Sequence, residues 1–125
     1  MTEKVRILVV DDEADSLEIM RIILENAGYD VQTASDGQEA LSKIGEQKVD
    51  LVFMDIKMPK IDGYELCRRL KQDPETAKIP VVMHSASGSE QTRIQAYEAG
   101  ANGFMFKPFT MQKLVAIVQK HLGDK

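Results

Sequence analysis

Short apolar runs alternate along this chain with segments in which the apolar residues recur at the spacing of a helix. Runs of this length, bounded by polar or turn residues, are typical of strands buried on both faces, as in a parallel sheet covered by helices. The pattern predicts strands at residues 6–10, 30–34, 51–54, 81–83 and 104–106. It predicts helices at about residues 14–27, 37–47, 64–71, 90–99 and 111–122. This alternation predicts an α/β fold with helices on both faces of one parallel sheet.

The predicted helices differ in how strongly the sequence marks them. Asp36 precedes Glu39 by three residues, which resembles a capping box, and Thr110 is a candidate N-cap. The last helix has a broad apolar face made of Met111, Leu114, Val115, Ile117, Val118 and Leu122. The fourth helix has few apolar residues, and its predicted inward positions are Ile94, Tyr97 and Ala99. A helix with so few apolar contacts is a candidate for movement.

Four of the predicted strands end at residues with functional groups: Asp11 and Asp12, Asp55, Ser85 and Lys107. Because ligands bind outside the carboxyl ends of parallel strands, these groups are expected to meet at one site. Crowded carboxylates raise one another's pKa unless a cation joins them. Mg²⁺ prefers such oxygen ligands, whereas the sequence has no cluster of His or Cys for zinc. An aspartate nucleophile with magnesium, a lysine and a hydroxyl suits phosphoryl transfer.

Composition narrows the class of protein. The 125 residues, 43% of them hydrophobic, suit one domain, predicted to span residues 1–125. The formal net charge of −4 argues against direct binding to nucleic acid. The single cysteine, Cys67, suits a reducing compartment, and no apolar stretch is long enough to cross a membrane. With no room for a signal peptide before the first strand, the prediction is a cytoplasmic protein without membrane insertion.

The motifs at the strand ends resemble, in order and over essentially the whole chain, the receiver domain of two-component response regulators. The segments that carry the resemblance are 9–13, 54–63, 85–86, 99–101 and 104–109. The resemblance implies a flavodoxin-like, doubly wound parallel sheet of five strands in the order 2-1-3-4-5, with five helices. It also implies a single receiver domain with no output domain in this chain.

The resemblance assigns a role to each residue at the strand ends. Asp55 would be the phosphoacceptor. The metal, Mg²⁺ or Mn²⁺ in its place, would be held by Asp11, Asp12, Asp55 and the main-chain carbonyl of Lys57. The phosphoryl group would be bound by Lys107, Ser85 and Ala86, with the Lys107–Pro108 peptide cis. Ser85 and Phe104 would be the switch residues, while Lys57 and Ser87 would tune the lifetime of the phosphoryl group.

The resemblance also implies the function and the partners. Asp55 would take a phosphoryl group from the phosphohistidine of a sensor histidine kinase or of a histidine phosphotransfer protein. The modification would shift the surface of the fourth helix, fifth strand and fifth helix, which would then bind a downstream protein target or act on a missing output domain. Such a domain assists only its own phosphorylation and dephosphorylation and is not an enzyme acting on other substrates.

Two other functions fit a sheet of this kind less well. A magnesium-dependent phosphatase of the haloacid-dehalogenase type has a second aspartate two residues after the nucleophile, where this chain has Lys57. A flavodoxin-like electron carrier needs a phosphate-binding loop after the first strand, where Asp11 and Asp12 would repel the flavin phosphate. Turnover of phosphomonoesters or a flavin-coloured preparation would favour these alternatives.

His84 departs from the pattern, because receiver domains usually have an aliphatic residue at this strand position. Strand alternation directs its side chain away from Ser85, toward the opposite face of the sheet. The expected role is a hydrogen-bonded histidine in the interior or a groove, with a pH-sensing or ligand role as the alternative.

Overall fold

In the computed structural model, residues 4–86 and 89–123 are described, and they form five strands and five helices. The strands are β1 (Arg6–Val10), β2 (Asp30–Ala34), β3 (Leu51–Asp55), β4 (Val81–Ser85) and β5 (Gly103–Phe106). The helices are α1 (Ala14–Asn26), α2 (Gly37–Glu46), α3 (Gly63–Gln72), α4 (Glu90–Glu98) and α5 (Met111–Leu122). Each predicted element is confirmed within a few residues.

The strands form one parallel sheet in the order β2-β1-β3-β4-β5, which confirms the doubly wound fold that the resemblance implied. The connections that follow β1 and β3 run to opposite sides of the sheet. The carboxyl ends of these two neighbouring strands therefore form the switch point where ligands bind in such sheets. The register pairs Val10 with Met54 and Asp55 with His84. Asp11 and Asp55 therefore follow neighbouring strands at this switch point.

The two faces of the sheet bury separate apolar cores. On one face, here called the α1/α5 face, helices α1 and α5 pack their buried residues against the strands. These residues are Met20, Leu24, Leu114 and Val118, and they meet Ile7, Val9, Phe53 and Val82. On the other, the α2–α4 face, buried residues of α2, α3 and α4 cover Leu8, Val10, Met54 and Met83. Alternate residues of each strand thus serve opposite cores.

The helix starts follow the sequence signals. The side chains of Asp36 and Thr110 accept hydrogen bonds from the backbone N–H groups of Glu39 and Lys113, at 2.8 Å and 3.0 Å, which confirms both predicted caps. Asp62 caps α3 in the same way, accepting from Glu65 N at 2.9 Å. Each cap satisfies a backbone donor that has no partner within its helix.

Of the three residues predicted to face inward from the fourth helix, only Ala99 is buried, just beyond the end of α4. Ile94 and Tyr97 are 41% and 43% exposed, and the buried contact within the helix is made by Ala96. Because Ala96 lies two residues from Ile94, the two side chains point in nearly opposite directions around the helix. Met111 on α5 is also exposed, and so is Ala27 after α1.

No helix in residues 4–86 and 89–123 is long and apolar enough to span a membrane.

Candidate functional site

The carboxyl ends of β1, β3, β4 and β5 bring together the predicted acidic, hydroxyl and lysine side chains. Lys107 Nζ donates to Asp11 Oδ2 at 2.9 Å and lies 3.9 Å from Asp55 Oδ1. The backbone N–H of Lys107 donates to the Ser85 carbonyl at 2.8 Å, which continues the pairing of β4 with β5 beyond the strands. The sheet register therefore places the lysine beside two carboxylates.

Asp55 is a buried carboxylate with a strongly perturbed pKa. The residue is 7% exposed, and its Oδ1 accepts a hydrogen bond from Ile56 N at 3.0 Å. Burial, and after it the negative charge of Asp11, raises the pKa of Asp55 to about 6, against the opposing effect of Lys107. A carboxylate that is costly to ionise and lies at the mouth of the site is suited to bind a cation or to be modified.

Lys107 connects the acidic group to α1. Its Nζ lies 3.5 Å from Ser16 Oγ and 3.8 Å from Glu13 Oε1, in addition to its contact with Asp11. Asp11 is fully buried, and its second oxygen accepts from Glu13 N at 2.9 Å. The Lys107–Pro108 peptide bond is cis. The ammonium is thus held between carboxylates and directed into the site.

The remaining predicted metal and phosphoryl ligands line an open cleft next to Asp55. This cleft of about 540 Å³ is bordered by Asp12, Glu13, Asp55, Lys57, Ser85, Ala86 and Lys107. Asp12, Lys57 and Ala86 are exposed. The carboxylates at this mouth, together with the main-chain carbonyl predicted for Lys57, make an all-oxygen set that fits Mg²⁺. A cation there would oppose the burial and the charge of Asp11 that raise the pKa of Asp55.

Ser85 and Phe104 lie toward the α2–α4 face. Ser85 is 3% exposed and borders a second cleft, of about 640 Å³, that runs past Lys57 and Tyr64 to Thr92 and Gln95. Phe104 is half-buried against this face and packs edge-to-face on Phe106, with ring centroids 4.9 Å apart. The two predicted switch residues are therefore on the side of the sheet where α4 packs. Ser87, predicted to tune the phosphoryl lifetime, lies outside the described residues.

Gly63 is a further residue on which the site depends. A Cβ atom at this position would lie 2.4 Å from the Asp55 carbonyl oxygen and 2.9 Å from Ile56 Cα. Gly63 N also donates to the Ile56 carbonyl at 2.8 Å, which fixes the loop after β3. Only a glycine permits this approach of α3 to the acceptor strand. In the sequence, the feature that points to Gly63 is its position at the end of segment 54–63, one of the segments that carry the resemblance.

His84 lies on the α1/α5 face and in the interior, as predicted, but the expected hydrogen bond is not found within residues 4–86 and 89–123. The side chain is fully buried, and neither ring nitrogen has a hydrogen-bond partner within residues 4–86 and 89–123. Its Nδ1 lies 4.0 Å from an oxygen of Asp11 and 4.0 Å from one of Asp55. Burial, and then the charge of Lys107, lowers the pKa of His84 to about 3, so the ring is neutral. Alternation gives the direction of a side chain but not its neighbours on other strands.

Comparisons with known proteins show which family the chain resembles. A family model described as the response regulator receiver domain matches residues 7–119. The chain is 44% identical over 110 residues to the phosphate regulon transcriptional regulatory protein PhoB of Pseudomonas aeruginosa, covering 88% of this chain and 48% of PhoB. It is 40% identical over 114 residues to the DNA-binding dual master transcriptional regulator RpaA of Synechocystis, covering 91% of this chain and 47% of RpaA. The chain thus spans about half the length of these curated relatives.

Solved structures of similar size share the whole fold. The receiver domain of NtrX from Brucella abortus superposes with a TM-score of 0.88 at 35% identity, covering 95% of this chain and 99% of that one. Chemotaxis protein CheY4 of Vibrio cholerae gives a TM-score of 0.91 at 29% identity, covering 96% of this chain and 100% of that one. The chain therefore belongs to the response regulator receiver domain family.

Proposed function

We propose that this receiver domain accepts a phosphoryl group on Asp55 from the phosphohistidine of a sensor kinase or of a histidine phosphotransfer protein, in a magnesium-dependent reaction. The observation that carries the proposal is the buried Asp55 carboxylate, whose pKa is raised to about 6, at the switch point beside the Lys107 ammonium. A buried carboxylate that lies near an ammonium and faces an open cleft is arranged for attack on an incoming phosphorus atom.

The transfer is balanced without any further reactant. One oxygen of the Asp55 carboxylate forms a bond to phosphorus while the P–N bond of the donor phosphohistidine breaks. The imidazole nitrogen leaves with the bonding electron pair. Lys107 lies close enough to the Asp55 oxygen, at 3.9 Å, for its ammonium to bind a phosphoryl oxygen on the product after a small shift.

The chain's own oxygens supply the metal site. Asp11, Asp12, Asp55 and the Lys57 carbonyl would hold Mg²⁺, which when bound neutralises negative charge on the phosphoryl oxygens. Ser85 and Ala86 border the same cleft and would donate hydrogen bonds to the phosphoryl group. The chain thus assists its own modification and has no separate substrate pocket in this proposal.

Readout of the modification is proposed to run through the surface of α4, β5 and α5. Ser85 and Phe104 link the site to this surface, because both lie toward α4. A downstream protein, or an output domain in a longer protein, would bind this surface. The relatives of this chain, PhoB and RpaA, are named as transcriptional regulators and are about twice as long as the chain. The single cysteine, Cys67, is buried, which suits the proposed cytoplasmic location.

Labelling with acetyl phosphate tests the acceptor. Intact-protein mass spectrometry of the wild type should show one added phosphoryl group when Mg²⁺ is present and none when it is chelated. Asp55→Asn should abolish the label, because the amide has no anionic oxygen to attack phosphorus.

Asp30→Asn is the matched control for this experiment. Asp30 pairs with Arg6 at 3.0 Å at the opposite end of the sheet, so its loss should leave labelling unchanged. Undiminished labelling of Asp55→Asn would refute the site, and steady turnover of external phosphomonoesters by the wild type would favour a phosphatase instead.

A further inference from the structure

The imidazole of His84 is a buried polar group that makes no hydrogen bond to the part of the chain that the structure describes. The side chain is fully buried in the core of the sheet, and both Nδ1 and Nε2 lack a hydrogen-bond partner among residues 4–86 and 89–123. Buried polar side chains in folded proteins are nearly always paired, and an unpaired one calls for an explanation such as a bound water or ion. The position is therefore a candidate for a ligand that the polypeptide itself does not provide.

The surroundings of His84 indicate what that ligand is. Its Nδ1 lies 4.0 Å from Asp11 Oδ2 and 4.0 Å from Asp55 Oδ1, and one ligand atom from each residue lies within 4.8 Å of the others. The three residues come from the ends of β1, β3 and β4, and the pairing of Asp55 with His84 directs both side chains to the α1/α5 face. One imidazole nitrogen thus faces two carboxylate oxygens in the interior.

We propose that Asp11, Asp55 and His84 bind a late first-row transition-metal ion, with Zn²⁺ as the test ion, and that its occupancy inhibits phosphorylation of Asp55 by displacing Lys107. The inhibition rests on the function proposed above, whereas the binding itself does not. A bond length of about 2.0–2.2 Å would draw the three donors inward by a few tenths of an ångström.

The nitrogen ligand gives this group a different preference from the oxygen site in the cleft. Imidazole suits zinc, cobalt, nickel and copper, whereas magnesium takes oxygen ligands and retains its waters. Asp12 and Lys57 border the exposed cleft, but His84 does not. A transition-metal ion would therefore bind deeper than Mg²⁺ and would share Asp11 and Asp55 with it.

Lys107 makes the binding competitive. Its ammonium occupies the same two oxygens, at 2.9 Å from Asp11 Oδ2 and 3.9 Å from Asp55 Oδ1. A divalent ion between these oxygens and Nδ1 replaces that ammonium, since two cations cannot share them closely. Occupancy thus removes the lysine that would bind the phosphoryl group. Phosphorylation would be inhibited by Zn²⁺ and supported by Mg²⁺.

Calorimetric titration of the full chain with Zn²⁺ and with Mg²⁺ tests the proposal. His84→Val, which restores an aliphatic residue in the strand, should weaken Zn²⁺ binding at least tenfold and change Mg²⁺ affinity less than twofold. The chain has two histidines, so His121→Gln on α5 is the matched control and should bind Zn²⁺ like the wild type. Equal Zn²⁺ affinity of His84→Val and wild type, or no Zn²⁺ binding by the wild type, would overturn the proposal.

A measurement on the wild type alone covers the case in which His84→Val does not fold. Zn²⁺ should shift the ¹⁵N resonance of His84 Nδ1 and leave that of His121 unchanged, and the absence of a shift at His84 would refute coordination.

Labelling separates the two proposals. With Mg²⁺ in excess, Zn²⁺ should suppress acetyl phosphate labelling of the wild type and should require at least tenfold higher concentration with His84→Val. If Mg²⁺ alone gives no label, the proposed function fails while Zn²⁺ binding can still be measured. If labelling proceeds but His84→Val leaves the Zn²⁺ dependence unchanged, the metal proposal fails and the function stands.

Discussion

His84 and Ser85, consecutive residues of β4, point to opposite faces of the sheet, and the two faces differ in the side chains that they bury. On the α1/α5 face His84 lies among Asp11, Asp55 and Lys107, beneath two helices that each bury large apolar residues. On the α2–α4 face Ser85 borders a cleft next to α4, whose buried contact within the helix is Ala96. The α1/α5 face buries charged side chains beneath well-packed helices. The α2–α4 face has, beside the site, a helix with few buried contacts.

In the function proposed above, this difference would separate the chemistry at Asp55 from the response of α4. Buried carboxylates and a lysine keep their positions only where the surrounding helices are well anchored, because each ion is costly to bury unless its partners stay in place. Burying one leucine side chain contributes about 1.5–3 kcal/mol, and an alanine contributes much less. Helix α4 can therefore move at a free energy that would not disturb α1 or α5.

The largest expected effect tests the packing of the α1/α5 face. Leu114 on α5 is fully buried, so Leu114→Ala should lower the free energy of unfolding by about 2–5 kcal/mol. Urea denaturation would measure it, with exposed Met111→Ala as the control, expected within about 0.5 kcal/mol. A loss below about 1 kcal/mol would show that α5 is not the firm anchor described here.

Charge on the same face should make stability depend on pH. The pKa of Asp55 is about 6 in the fold against an ordinary 3.8, so the folded chain binds this proton more tightly than the unfolded chain. The free energy of unfolding should therefore fall by on the order of 3 kcal/mol as pH rises from about 4 to about 6 in metal-free buffer, because Asp55 loses its proton in the folded chain.

Asp55→Asn should remove that loss and stabilise the metal-free protein at pH 8. The control Asp30→Asn removes a half-exposed ion pair and should cost under about 1 kcal/mol, with the pH profile above pH 4 otherwise retained. An unchanged pH profile in Asp55→Asn would show that another group causes the dependence.

Hydrogen exchange compares the helices directly. Amides in α4 should exchange at least about tenfold faster than those in α5, since fewer buried contacts oppose local opening. Beryllofluoride, bound at Asp55 as a phosphoryl mimic, should change exchange more in α4 than in α1. Equal protection of α4 and α5 in the free protein would contradict the contrast between the faces.

The smallest expected effect lies within α4 itself. Ala96→Gly should cost about 1 kcal/mol from helix propensity, and Ile94→Ala, at an exposed position, should stay within about 0.5 kcal/mol. Thermal melts of both variants would measure the difference. A larger loss from Ile94→Ala than from Ala96→Gly would restore the inward face predicted from the sequence.

Most of the fold could be predicted because apolar runs and helix caps are local signals. The strand ends also gave the acidic residues and Lys107, since parallel strands deliver their carboxyl ends to one edge. The anchor of α4 could not be predicted, because hydrophobicity favours Ile94 over the small Ala96 that allows close approach. The environment of His84 depends on the pairing of β4 with β3, and the environment of Gly63 depends on how closely α3 approaches β3. Both are contacts between distant parts of the chain, so adjacent residues do not predict them.

Lys107 gives the domain a tethered counterion. The ammonium already neutralises part of the negative charge of Asp11 and Asp55 when no free cation is bound, through a contact of 2.9 Å on a side chain that cannot diffuse away. Any ligand that needs these oxygens must displace the Lys107 ammonium. An ion with low affinity for the carboxylates therefore does not replace it. In the function proposed above, the same side chain would exchange these carboxylates for a phosphoryl oxygen and would stay in the site, so one charge would serve both states of the domain.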